Sequence, residues 1–73
     1  MDRAIVMDHL ALAERHVSAG ERHVARQRET VLEFERDGYD AGLARRLLQQ
    51  FEVLQKTHIA DRDRLRAQLA AMR

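Results

Sequence analysis

The sequence predicts an all-α chain folded as an antiparallel helical hairpin, and three observations carry that prediction. There is no Pro and there are only three Gly, at residues 20, 38 and 42, so few positions can break a helix. Apolar residues recur at alternating spacings of four and three in both halves of the chain, the signature of a helix with one buried stripe. Between the halves lies one cluster of turn residues, Asp37-Gly38-Tyr39-Asp40.

The first helix is expected over about residues 3–36. Its seam reads Val6, Leu10, Ala13, Val17, Gly20, Val24, Gln27, Val31 and Phe34, a heptad pattern sustained over four repeats. The turn is expected at 37–40, with Gly38 in the left-handed conformation that ends a helix and Asp40 capping the next one. The second helix, about 41–72, gives Ala44, Leu47, Phe51, Leu54, His58, Asp61, Leu65 and Met72, with Leu48 and Leu69 shifting the stripe sideways. Two helices of this length joined by so short a turn lie antiparallel in a single domain, 1–73. Pairing outward from the turn sets Phe51 against Gln27, Leu54 against Val24, Leu65 against Ala13 and Met72 against Val6. The same rule sets His58 against Gly20. A Gly inside a helix costs about 1 kcal/mol relative to Ala, so its place on the seam is expected to make room for the imidazole.

Composition and repeats point beyond one hairpin. Eleven of the apolar residues are Ala, which leaves a thin core for a chain of 73 residues. Glu14-Arg15-His16-Val17 recurs as Glu21-Arg22-His23-Val24, and His9 precedes Leu10 in the same phase. The line His9, His16, His23 therefore runs beside the seam, and Ile5, Leu12 and Ala19 lie beyond it. One neighbouring helix cannot cover a sector this wide. Ile5, His9, Leu12, His16 and Ala19 are expected to form the face on which a second hairpin packs, giving a homodimeric four-helix bundle. The alternative is that a different protein covers the same stripe.

The histidines are the chemical feature of the sequence. Residues seven apart on one helix stand about 10.5 Å apart, so no two of His9, His16 and His23 can ligate one ion from the same helix. The best available ligand set is His16 with His58 and Asp61. No cofactor is expected, whether the histidines hold metal stays open, and the preferred reading is a polar core layer of Gly20, His58 and Asp61, with Arg62 a candidate, that fixes register at some cost in stability. On that reading zinc or nickel changes the melting temperature little. His9, His16, His23 and His58 also make a pH-sensing role an alternative, because imidazole titrates near neutrality.

Other functions find little support. No Cys excludes disulfides, thiol catalysis and thiolate metal sites. No triad, Gly-rich phosphate loop or carboxylate pair marks an enzyme. Thirteen basic and twelve acidic residues give a net charge of +1, and acidic residues interleave the Arg groups Arg15, Arg22, Arg26 and Arg62, Arg64, Arg66, which argues against nucleic acid. The apolar runs are too short for a membrane span or a signal-peptide core, so no membrane partner and a cytoplasmic location are expected. The stretches Ala13 to Glu29, Asp37 to Asp40 and Phe51 to Leu65 resemble small uncharacterised helical proteins of alphaproteobacteria. That resemblance implies a bacterial origin and no established activity. The function expected from the residues is a non-enzymatic protein-interaction or regulatory module.

Overall fold

The computed structural model describes residues 2–72. Two helices, α1 (Arg3–Arg36) and α2 (Gly42–Ala71), lie antiparallel in a rod whose Cα extents are 56 × 14 × 13 Å. Neither described helix is long and apolar enough to cross a membrane. The radius of gyration is 16.6 Å, against about 11 Å for a compact chain of this length. A two-helix layer has no third element behind it, so the whole core is the strip between the helices.

Each end of α1 is closed by local chemistry. Asp2, in extended conformation, accepts from the Ala4 amide at 3.2 Å, an N-cap that satisfies one of the free amides of the first turn. At the other end Gly38 adopts φ 77°. This lets the Tyr39 amide donate to the Phe34 carbonyl at 2.9 Å and the Gly38 amide to the Glu35 carbonyl at 3.3 Å, the paired hydrogen bonds of a Schellman motif. The Phe34 and Tyr39 rings meet edge to face at a centroid separation of 6.0 Å, supplying the apolar contact that accompanies this motif. Asp40 accepts from the Gly42 amide at 2.9 Å. It does so from one residue outside the cap position, which Ala41 occupies without a side-chain bond. Ala41 is itself buried and packs with Ala44, Val31 and Leu48.

The seam of α1 follows the heptad reading from Val6 to Val31. Val6, Ala13, Val17, Val24 and Val31 are buried, and Leu10, Gly20 and Gln27 are half-buried between them. The seam of α2 runs through Ala41, Ala44, Leu48, Phe51, Gln55, His58, Arg62, Leu65, Leu69 and Met72. This corrects the expected stripe at three positions: Leu47, Leu54 and Asp61 are exposed on one flank, and Leu48, Gln55 and Arg62 take the seam. Rotation by one residue explains the difference. Leu47 and Leu48 are adjacent and equally apolar, so hydrophobicity alone cannot choose between the two phases. The phase is chosen at one contact in the middle of the seam.

That place is Gly20. Gln55 lies across it, and a Cβ on residue 20 would overlap the Gln55 side-chain amide. The Gln55 Nε2 donates to the Val17 carbonyl at 2.9 Å, and Gln27 on α1 reciprocates with a 3.0 Å bond to the Ala44 carbonyl of α2. Each seam glutamine thus ties its helix to the backbone of the other. Gly20 makes room for Gln55, not for His58, which meets His16 one turn away. Phe51 likewise meets His23, a turn from the expected Gln27. Leu65 with Ala13, and Met72 with Val6, share one cluster as the pairing rule expects.

The Gly20 contact predicts a coupled pair of substitutions. Gly20→Ala gains about 1 kcal/mol in helix propensity and loses a similar amount through the displaced Gln55 bond, leaving wild-type stability nearly unchanged. In a Gln55→Ala background the same change should stabilise by about 1 kcal/mol. Urea denaturation of the four proteins measures the coupling. Equal effects in both backgrounds would show that residue 20 and Gln55 do not share space.

Candidate functional site

The heptad phases of the two helices give the rod two different edges. On one edge charged residues of α1 and α2 pair across the seam: Arg66 with Glu14 at 3.7 Å, Arg28 with Glu52 at 3.5 Å and Arg45 with Glu35 at 3.0 Å. Glu52 therefore reaches across to Arg28 in the structure, where the sequence also offers Lys56 one turn away. All three pairs are exposed, so each contributes less than about 1 kcal/mol, but together they saturate that edge with charge. The opposite edge carries no ion pair between the helices among the described residues. His9, His16 and His23 stand there on α1, and Leu47, Leu54, Asp61 and Gln68 on α2.

This histidine edge is where the sequence placed its candidate residues, and the structure sorts them by contact. His16 and His58 come together with ring centroids 5.1 Å apart and planes tilted by 46°. His23 packs on Phe51 at 6.0 Å. A hollow of about 170 Å³ opens beside these rings, lined by His16, Gly20, His23, Phe51, Gln55 and His58 together with Ala19 and Leu54. His9 lies further along the edge, lining a second hollow with Leu12, His16, Asp61 and Gln68. Asp61 does not join the seam. Its carboxylate is exposed and sits 3.5 Å from Arg64, so the polar layer consists of Gln55, His58 and Arg62. Among the described residues no group of three or more His, Asp and Glu side chains is placed to hold a metal ion.

Comparison with protein-family models, with curated proteins and with solved structures gives no match for this chain. The functional reading therefore rests on the geometry of the edge.

Ile5 and Leu12 keep 45% and 44% of their surface exposed, as do Leu47 at 38% and Leu54 at 51%. Ala19 is half-buried. The expected dimer face is thus an exposed stripe, and it is broader than expected because the phase of α2 turns Leu47 and Leu54 onto it. Hydrophobicity alone places these two leucines on the seam. Gln55 and Arg62 carried no apolar signal, though their heptad spacing with Leu48 and Leu69 could have found them. The Arg group of α2 is neutralised locally: Arg62 lies 3.0 Å from Asp63, Arg64 pairs with Asp61, and Arg66 with Glu14.

Arg62 is the seam residue least suited to its position. Its side chain is 24% exposed and its carboxylate partner, Asp63, belongs to the same helix. Arg62→Leu should bury more apolar area between Leu65 and His58 and raise stability by about 1 kcal/mol, since the exposed pair it gives up is worth little. Thermal denaturation checks the sign. A destabilised Arg62→Leu protein would mean that the guanidinium, with its long stem, anchors the seam.

Proposed function

We propose that this protein is a non-enzymatic interaction module that acts as a homodimer, two hairpins packing through their histidine edges into a four-helix bundle. The observation that carries the reading is surface area. The chain exposes 5614 Å², whereas a globular chain of 8.5 kDa exposes about 4,650 Å². The excess is close to the roughly 800 Å² that each partner buries in a standard interface. A second copy is the occupant that fits this excess, because the stripe is long, apolar and self-similar along the rod. Ile5 and Leu12 lie toward the open end, Leu54 and Leu47 toward the turn, with the small residues Ala19 and Gly20 between them.

Charge supports the choice of edge. Like hairpins cannot approach through the opposite edge without breaking its row of ion pairs, while the histidine edge presents imidazoles and leucines with few fixed charges. A cytoplasmic location and a role in regulation, through the faces that remain exposed in the dimer, belong to the same proposal. A different protein seated on the stripe is the second reading, and the same experiment separates the two.

Light scattering at micromolar concentration should give about twice the 8.5 kDa chain mass. Leu12→Glu with Leu54→Glu should return the monomer mass, because both side chains lie outside the hairpin's own seam. Leu32→Glu, at a residue 66% exposed between Arg28 and Glu35 of the ion-pair edge, should leave the dimer intact. A wild-type protein that stays monomeric and folded at high concentration would defeat the proposal, as would a dimer that survives both edge substitutions.

A further inference from the structure

The contact between His16 and His58 has the dimensions of a chelate. With metal–nitrogen bonds of about 2.0–2.1 Å and a tetrahedral angle at the ion, two imidazoles on one metal hold their ring centroids roughly 5 Å apart. The observed separation is 5.1 Å. The 46° tilt is compatible, since each ring turns freely about its own metal–nitrogen bond. The helices deliver this pair without strain from sequence neighbours, because one ring comes from α1 and the other from α2, whereas His9, His16 and His23 are too far apart along α1 to share an ion.

A second observation marks the same place. Gln55 Oε1 is buried and has no hydrogen-bond partner in the protein. The amide cannot turn to relieve it, because Nε2 is engaged with the Val17 carbonyl. An orphaned buried acceptor costs about 1–3 kcal/mol unless a donor reaches it. Gln55 lines the 170 Å³ hollow together with both imidazoles. Oε1 is closed off against Gly20, so a water on an ion in the hollow would donate to it only after a small shift of the Gln55 side chain.

We propose that His16 and His58 chelate one divalent transition-metal ion in this hollow, with the remaining positions of the ion held by water. Imidazole nitrogen as the ligand selects zinc, nickel or copper over magnesium and calcium, which take oxygen ligands. Two protein ligands leave further positions of the ion facing the histidine edge, which a second hairpin would cover in the proposed dimer. The site lies within one hairpin and does not rest on dimerisation.

Zinc titration by calorimetry, with cobalt(II) absorption as the spectroscopic probe, tests the proposal on the full chain. Saturable binding is expected, with a change in the cobalt absorption that tracks occupancy, and magnesium should not compete. His16→Gln and His58→Gln should each weaken zinc binding by at least about tenfold, a loss typical even of the outer partners of metal ligands. His9→Gln should bind as the wild type does. His16 is exposed, so its variant retains the fold, and circular dichroism confirms this for all three proteins. An ordinary contact between two rings would give no saturable binding, and that result overturns the proposal. Binding that persists unchanged in His16→Gln and His58→Gln overturns it too.

Discussion

The contact of the Gln55 amide with Gly20 sets the geometry of what lies around it. With no side chain at residue 20, the Gln55 amide can lie flat across α1 and donate to the Val17 carbonyl. That bond fixes both the rotation and the axial position of α2. Once Gln55 is placed, His58 follows one turn along and falls against His16, and Phe51, one turn back, falls against His23. A seam built largely of Val and Ala permits this, because small residues let two helices pack closely along most of their length. Large side chains are pushed outward. Among the described Leu, Ile, Met and Phe residues, Leu65 alone is buried, and the others lie at the margins of the seam or beyond it.

The two margins then diverge in chemistry although they are built from the same two helices. Across one margin glutamates and arginines pair, and water can solvate what remains of their charge. Across the other, His16 meets His58 and His23 meets Phe51, with Leu47, Leu54 and Asp61 exposed beside them. Hydrophobic burial is worth about 25 cal/mol for each Å² removed from water. Covering several leucines therefore outweighs the fraction of a kilocalorie that each exposed ion pair contributes. On the histidine margin Ile5, Leu12, Leu47 and Leu54 leave apolar area still open to water.

Much of this was legible in the sequence because it depends on local rules. Gly38 could be read as a left-handed residue since few others tolerate that conformation, and the Schellman hydrogen bonds follow from it. The seam of α1 was legible because its heptads contain one apolar choice at each step. In α2 the choice was double at Leu47 and Leu48, and the true phase carries Gln55 and Arg62 where the false one carries Leu54 and Asp61. Hydrophobicity favours Leu54. The energy that decides for Gln55 is a hydrogen bond to the backbone of another helix, which no pattern within α2 records. The meeting of His16 with His58 depends on register to within one turn, finer than pairing outward from the turn can resolve.

The turn has a consequence for how the chain acquires its structure. It holds α1 and α2 at one end only, so contacts between the helices differ widely in the length of chain they must close. The bond from Gln27 to Ala44 spans 17 residues, and that from Arg3 to Met72 spans 69. Loop closure over the longer stretch costs about 1.2 kcal/mol more if nothing between has formed. This is as much as one hydrogen bond returns. The far contact becomes affordable only after the near ones exist, so assembly is a zipper that starts at Gly38 and advances toward the chain ends. Gln55 on Gly20 is its midpoint, where the phase of the second half is chosen.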